Sequence, residues 1–446
     1  MMDTTVLPAA PPPPPPPAAA GPTLPRLLVA AARRDGDAPD ALAVHRRTYA
    51  VPSMPRRHAV EPAIAAVERS GLRGRGGGGF PTGRKMRAVS EGGGRPVVLV
   101  NGSEGEPASA KDSLLLTRAP HLVLDGALVA AWAVGAKEVV VCIERSNRPA
   151  IQAVERAIAD RVAAGEPMPS VTVREIPSRY VAGEETALVH VVNGGDARPT
   201  LTPPRPYQKG VGGRPTLVDN VETLCHVAQI ARWGPTWFRG QGTDAEPGTM
   251  LLTLSGALAR RGVCEVPIGM SLERVLTSSE PTDRLRAVLL GGYYGTWITP
   301  AQAHRATLDD AHLRSIGSGL GCGAVVALPT SACGLIEAAR VLTWLAGETA
   351  GQCGPCVHGL AAIARGMTEL AHGRATAHTV DDLHRWAGQV EGRGACSFPD
   401  GAVRHLRSAL RVFDDDVAHH LRHGPCGAVA TPPVLKIPSG AAKVWR

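Results

Sequence analysis

Gly71-Leu72-Arg73-Gly74-Arg75-Gly76-Gly77-Gly78-Gly79-Phe80-Pro81-Thr82-Gly83-Arg84-Lys85 puts seven glycines, three arginines and a lysine into fifteen residues. Glycine accepts φ > 0 and has no Cβ to hold a ligand away, so such a loop can bring bare backbone N–H groups against an anion. A flexible linker is the plainer explanation. Linkers favour serine and lack fixed cations, whereas Arg73, Arg75, Arg84 and Lys85 can add charge-assisted bonds to phosphate oxygens. A phosphate cradle is therefore expected. The apolar positions Ile64, Ala65 and Val67 suggest a short helix ending at Ser70-Gly71, so the loop follows a helix. Gly74-Arg75-Gly76-Gly77-Gly78-Gly79 formally fits G-x-G-x-x-G, but the dinucleotide fingerprint needs a strand before it. An ordinary Rossmann phosphate turn is disfavoured here.

Working outward, Val97 to Val100 reads as a buried strand, Leu122 to Val134 as an apolar helix and Val139 to Ile143 as a second strand. An amphipathic helix at Ile151 to Ala164 and a strand at Val171 to Val173 follow. This β-α-β-α-β order predicts a parallel, doubly wound sheet with ligand sites at the carboxyl ends of its strands, where Asn101 to Glu106 falls. Residues 248–330 alternate short strands with Gly- and Pro-marked turns around one helix at Leu272 to Leu276. That pattern predicts an α+β unit of about 80 residues, a size compatible with its own core. From Ala332 the pattern is helical (Leu335 to Leu345, Val357 to Ala371, Val380 to Val390, Val403 to His423), which predicts a bundle.

The chain is 446 residues long, enough for several domains. Pro11 to Pro17 cannot build a core, and residues 1–50 are expected to be a disordered leader and linker; the tail 424–446 is expected on the surface. No apolar run reaches the roughly 20 residues of a membrane helix, and no signal peptide is read at the N-terminus, so the expectation is a cytoplasmic protein without direct membrane insertion. The net charge of +8 invites a nucleic-acid reading. Only six of the 48 basic residues are lysine, the arginines are dispersed, and aromatics to stack bases are few, so no nucleic-acid partner is expected.

Nine cysteines in a reducing compartment are better read as thiols or metal ligands than as disulfides. Cys353-Gly354-Pro355-Cys356 stands in a turn between helices, with Cys396 forty residues on in a second Gly-rich turn. Several soft thiolates converging from short loops suit an iron–sulfur cluster or zinc, while a thioredoxin-like pair would sit in a βαβ unit. Cys142, Cys225, Cys264, Cys322, Cys333 and Cys426 look isolated. The turns Asn101 to Pro107, Gly183 to Thr186 and Val218 to Thr223 carry carboxylates and amides that can bind ribose or ribityl hydroxyls. Each alone is equally readable as an acidic turn or a capped helix start.

Taken in order, the glycine loop, Asn101-x-x-Glu104-Gly-Glu106-Pro107, Tyr180-Val181-Ala182-Gly183-Glu184-Glu185-Thr186, Gly213-Arg214-Pro215-Thr216, Val218-Asp219-Asn220-Val221-Glu222-Thr223 and Cys353-Gly-Pro-Cys356 resemble one family. It is the flavoprotein (F-type, diaphorase-like) subunit of respiratory NADH:quinone oxidoreductase, shared with NAD-reducing hydrogenases and formate dehydrogenases. The resemblance spans roughly residues 55–423. It implies a Rossmann-like domain at 51–244 that binds FMN and NADH, a β-grasp, ubiquitin-like soluble-ligand-binding domain at 245–330, and a helical bundle at 331–423 carrying a 4Fe–4S cluster.

It further implies that Gly74, Arg75, Gly76, Gly77 and Lys85 hold FMN, with Asn101, Glu104, Val218, Asp219, Asn220 and Thr223 completing the flavin site. Phe80, Glu106, Tyr180, Gly183, Glu184 and Glu185 face NADH, Glu106 and Glu185 being the catalytic candidates. Cys353, Cys356 and Cys396 bind metal. Electrons then pass to a partner iron–sulfur or ferredoxin-like subunit, in the cytoplasm or at the edge of a membrane complex.

The chain departs from that family in four places. The first thiolate of its S-C-G-x-C-x-P-C motif is Ala350 here, which leaves three outcomes: a 3Fe–4S or open-site 4Fe–4S cluster, a replacement ligand such as His358 or an outlying cysteine, or no cluster. The family's L-K-W-S-F is Arg84-Lys85-Met86-Arg87-Ala88, and its P-P-F-P is Pro203-Pro204-Arg205-Pro206, so two aromatic positions that could stack on NADH are gone. Arg205 offers a guanidinium plane that can stack on adenine instead. Ser103 replaces an aspartate. A rival reading is a catalytically reduced paralogue that keeps the fold as a flavin- or nucleotide-binding or assembly module.

Overall fold

The computed structural model describes residues 24–29, 41–49, 60–438 and 444–445; Pro11 to Pro17 lie outside them. Its first sheet holds four parallel strands, β1 (Val97–Gly102), β2 (Glu138–Glu144), β3 (Ser170–Ile176) and β4 (Thr216–Asn220), in the order β3-β2-β1-β4. The alternation of β1 is visible in its packing. Val98 and Val100 join a core with the helices Pro120–Val134, Arg148–Ala163 and Val221–Arg239, while Val97 and Leu99 pack with Leu188 and Val191 of the helix Glu185–Val192 on the other face. Both faces are covered, as a parallel sheet requires. The chain builds outward from β1 to β3 and then returns to the other side of β1, so a switch point lies between β1 and β4.

The sequence reading missed β4. Its five residues follow a Pro- and Gly-rich stretch, too short a run for alternation to show. What did show was the helix start after it: Asn220 is the N-cap of Val221–Arg239, its side chain accepting from the Glu222 amide.

The second sheet holds β5 (Thr249–Gly256), β6 (Gly262–Pro267), β7 (Leu285–Leu290), β8 (Thr296–Ile298) and β9 (Ala324–Pro329) in the order β6-β5-β9-β7-β8, antiparallel except for β5 with β9. Met250, Leu252, Val288 and Val325 cover the helix Leu272–Ser278. The opposite side-chain set, Ala287, Leu289, Val326 and Leu328, packs on the C-terminal helices together with Trp297. The Trp297 amide donates to Ser408 Oγ (3.0 Å) and its indole N–H to His405 Nε2 (3.2 Å). This unit therefore has a core of its own on one face of the sheet and shares a second core with the bundle on the other.

The bundle comprises Gly334–Gly347, Ala361–Ala371, Ala377–Val390, Phe398–Val412 and Asp414–His423. The single helix expected at Val403 to His423 is two, divided at Phe413, whose ring is buried on Trp297. Helix Ala361–Ala371 is preceded by a wide π-type turn, Pro355–Leu360, that contains Cys356.

Two expectations about the chain ends need correction. Leu42–Tyr49 is a helix, and the Tyr49 hydroxyl donates to the Leu27 carbonyl (2.7 Å), both side chains being fully buried. Arg26 explains the anchoring of the first described stretch: it bonds the Trp237 and Phe238 carbonyls and stacks on Trp237. The tail is not simply superficial either, since Leu435 is buried with its amide on Glu337, and Tyr293 donates to the Lys436 carbonyl. Polar anchors of this kind carry no periodicity and are invisible to pattern reading.

Candidate functional site

The glycine loop leaves the helix Val60–Ser70 and enters the helix Thr82–Glu91. It closes on itself: the Gly74 amide donates to the Phe80 carbonyl (2.8 Å) and the Thr82 amide to Leu72 (3.0 Å). Gly77 (φ +100°) and Gly79 (φ +59°) occupy backbone conformations that L-residues avoid. Gly76 is there for space, because a Cβ on it would stand 3.2 Å from Asn220 Cβ.

The loop overhangs two adjoining cavities of about 410 and 650 Å³ that share Gly76, Gly78, Tyr180, Tyr294 and Cys322. Gly74, Arg75 and Gly77 line the smaller; Asn101, Glu104, Glu106, Gly183, Glu184 and Asn220 line the larger, which also reaches Cys396. These residues come from the ends of β1 and β4 and from the turn before helix Glu185–Val192. The sheet's switch point thus opens directly into the cavity, as strand order predicts.

Glu104, Glu106 and Glu184 line the larger cavity, with Glu144 behind Ser103 and Glu104. Glu106 is buried, and Oε2 accepts from the Tyr293 amide (2.8 Å) and the Tyr180 hydroxyl (3.1 Å), while Oε1 accepts from the Ala108 amide (3.0 Å). Burial pushes its pKa up to about 7 against the pull of those donors. Glu144 is likewise raised to about 7 by burial while receiving Ser103 Oγ and the Glu104 amide. Burial also raises Glu184, which caps helix Glu185–Val192 through the Thr186 and Ala187 amides. Glu104 caps the helix Lys111–Arg118, accepting from the Asp112 and Ser113 amides. Below them Lys111 is fully buried between Asp112 (2.8 Å) and Glu222 (3.0 Å) and donates to Asn220 Oδ1 (3.2 Å). Burial alone would strip its proton; the two carboxylates override it and keep the ammonium charged.

The remaining candidates sit around this centre. Thr223 Oγ1 accepts from the Arg75 amide (2.9 Å), and Lys85 Nζ lies on the Val218 carbonyl (2.9 Å) and Asp219 (3.5 Å). Val218 packs its side chain into the sheet core. Lys85, Val218, Asp219, Thr223, Phe80 and Glu185 line neither cavity. Phe80 is 54 % exposed, and Glu185 pairs with Arg205 (3.3 Å) at the surface. Sequence reasoning missed Lys111, Asp112, Glu144 and Tyr294. Lys111-Asp112 follows shortly after Asn101-x-x-Glu104-Gly-Glu106-Pro107, the one local hint; Glu144 and Tyr294 reach the site through folding alone.

A set of aromatic rings lines the larger cavity at the end that reaches Cys396. Tyr180 and Tyr294 lie 4.5 Å apart, and Phe398 is 5.7 Å from the first and 5.4 Å from the second. Cys353 and Cys356 adjoin each other and face Cys396, and burial pushes the Cys356 and Cys396 thiols up. Three thiols converging from two turns are a donor set that suits an iron–sulfur cluster. Ala350 is buried beside them and offers no donor.

The cavity also passes the test for a flavin nucleotide. Arg75, which lines the smaller cavity, has its Nε buried with no hydrogen-bond partner, and the loop glycines leave room where side chains would fill it. Fold and site together define a nucleotide-binding redox module with a thiolate cluster site at its flank.

Comparison with known proteins agrees. Residues 67–229 match the Nuo51 FMN-binding domain, and residues 336–420 match the NADH-ubiquinone oxidoreductase-F iron–sulfur binding region. The chain is 33 % identical to an F-type NADH-quinone oxidoreductase subunit of Rhizobium meliloti over 378 residues, covering 81 % of this chain and 89 % of that one. It is 31 % identical to the F-type NADH-quinone oxidoreductase subunit of Streptomyces coelicolor over 413 residues, 89 % and 92 % of the two chains. Among solved structures, a chain of an NAD+-reducing [NiFe]-hydrogenase in the H2-reduced state superposes with a TM-score of 0.76 at 31 % identity. That match covers 83 % of this chain and 64 % of the hydrogenase chain. The chain belongs to the family of NADH-quinone oxidoreductase F-type subunits. It is an NADH dehydrogenase-type oxidoreductase subunit, with an FMN-binding domain and an iron–sulfur binding region.

Proposed function

We propose that this subunit takes reducing equivalents from NADH at the cavity between β1 and β4 and delivers them past Tyr180, Tyr294 and Phe398 to an iron–sulfur centre held by Cys353, Cys356 and Cys396. The observation that carries this reading is the larger cavity, whose wall runs continuously from Asn101 and Asn220 to Cys396. FMN, when bound, accepts a hydride and releases electrons singly, and an iron–sulfur cluster takes single electrons. The chain's own residues do the rest. Gly74, Arg75, Gly76 and Gly77 hold the phosphate end, Asn101 and Asn220 orient the ring system, and Lys85 neutralises Asp219 behind it. Glu106, held by Tyr180 and Tyr293, keeps a proton near neutral pH at the nicotinamide side, with Gly183, Glu184 and Glu185 beside it. Arg205 replaces a lost aromatic as the stacking surface for adenine.

Three thiolates and Ala350 support a cluster with one iron lacking protein sulfur, rather than a complete four-cysteine cluster. We read residues 51–244 as Rossmann-like, 245–330 as β-grasp and 331–423 as the cluster-bearing bundle, in a cytoplasmic protein whose acceptor is an iron–sulfur or ferredoxin-like partner. Among the described residues no single helix is long and apolar enough to cross a membrane. Ala350 favours one rival reading, a paralogue with no working cluster.

Anaerobic titration of the FMN-loaded protein with NADH tests the proposal. The flavin absorbance should bleach with one equivalent of NADH; a flavin that binds and stays oxidised overturns the dehydrogenase reading.

A further inference from the structure

Cys333, His420 and Cys426 look unrelated in the sequence, 87 and 6 residues apart, yet their ligand atoms lie within 4.8 Å of one another. Three separate elements deliver them. Cys333 is the N-cap of helix Gly334–Gly347, His420 belongs to Asp414–His423, and Cys426 follows the turn at Gly424-Pro425. Cys333 Sγ is 3.7 Å from His420 Nε2. Two ligands of one tetrahedral zinc, a thiolate at about 2.3 Å and an imidazole at about 2.0 Å, stand roughly 3.6 Å apart, so this pair already has the edge length of such a site.

The imidazole is also set in the right tautomer. His420 Nδ1 faces the Leu370 carbonyl at 3.1 Å and Nε2 accepts from the Cys426 amide at 3.2 Å, so Nδ1 carries the hydrogen and the unprotonated Nε2 is the nitrogen beside Cys333 Sγ. A ligating histidine is held in just this way, by a carbonyl on its far nitrogen. A cation entering the site displaces the Cys426 amide from Nε2. Cys333 and His420 are buried, and Cys426 is half-buried, which leaves a fourth position toward the surface.

We propose that Cys333, His420 and Cys426 bind a zinc-type divalent cation at a site separate from the iron–sulfur motif. The helix Gly334–Gly347 spans 14 residues, about 20 Å at the α-helical rise, with Cys333 before its first residue and the motif beyond its last. Two thiolates and one imidazole are a soft, mixed donor set suited to zinc, and too close together for a cluster. The ion fastens the tail to the bundle. Beyond Cys426 the chain runs to Val434 and Leu435, whose amides bond Glu337, and to Lys436, whose carbonyl accepts from Tyr293. The Tyr293 amide in turn donates to Glu106. The cation thus anchors a strap that ends against the backbone of the redox cavity.

The test is metal analysis of the full chain, produced with iron and zinc, purified without oxygen and dialysed free of loose metal. About one zinc per chain should remain, fall at least tenfold in Cys426→Ser and His420→Ala, and persist in Cys353→Ser. Cobalt(II) substituted for the zinc should give thiolate-to-cobalt charge-transfer absorption that Cys426→Ser abolishes while its circular dichroism stays that of the wild type. Limited proteolysis should cut after Gly424 faster once the zinc is chelated. The proposal is overturned by a zinc-free protein, by zinc that leaves with Cys353 or Cys396 instead, or by a Cys333–Cys426 disulfide in the anaerobic protein.

Discussion

Asn101 and Asn220 stand opposite each other in register on β1 and β4, at the carboxyl ends of the two strands between which the sheet reverses its growth. Neither side chain is free to wander. Asn101 Nδ2 donates to the Gly183 carbonyl (2.8 Å), Asn220 Nδ2 to Asp112 (2.6 Å), and Asn220 Oδ1 accepts from Lys111 and caps a helix. The pair forms a rigid floor beneath the glycine loop, the preorganisation that a bound ring system needs.

Asn220→Ala removes the cap, worth about 1 kcal/mol, and two ties to Lys111 and Asp112. The protein should still fold, and FMN should bind at least tenfold more weakly in a fluorescence titration. Wild-type affinity in this variant would remove the switch point from the flavin site.

Gly76→Ala places a methyl group against Asn220 with the loop otherwise unchanged. Flavin content of the purified protein should drop by half or more. Gly93→Ala is the control: Gly93, unlike Gly76, has a positive φ (+73°), and nothing lies within 4 Å of its Cβ position, so it adds backbone strain away from the cradle. Equal flavin loss in both would mean that general destabilisation of the fold, not the cradle, governs binding.

Glu106 gives the apoprotein a pH dependence. Its unfolded pKa is near 4.5 and its folded value about 7, so the folded state holds an extra proton between the two. The stability this confers is present below about 4.5 and is lost as pH rises to 7. The loss amounts to at most about 3 kcal/mol for a shift of this size. Glu106→Gln should flatten the decline of thermal stability between pH 5 and 8, and adding Glu144→Gln should flatten it further because Glu144 is raised in the same direction. Parallel pH profiles for wild type and Glu106→Gln would contradict the burial argument.

Ala350→Cys restores the missing thiolate. Iron in anaerobically purified protein should rise by about one per chain, and the cluster should survive air longer, since an iron without protein sulfur is the one most easily lost. If Ala350→Cys changes nothing and Cys353→Ser removes no iron, the chain is the cluster-free paralogue.

The sequence by itself determined most of the strands and helices, β4, Leu42–Tyr49 and the break at Phe413 excepted, because burial on two sheet faces leaves continuous apolar runs such as Val97 to Val100, and on helices leaves a stripe. It also determined the glycine loop, the helix caps Glu184 and Asn220 and the cysteine motif, since each depends on residue types at short fixed spacing. Tertiary structure alone decided what meets across distance. It inserted β4 beside β1, brought Lys111 onto Glu222, set Tyr294 at a tilt against Tyr180, buried Tyr49 and Leu435, and drew Cys333 to His420 and Cys426. None of these contacts has a period or a local motif. They arise where separately folded faces close over one another, and only there does the sequence separation between partners cease to matter.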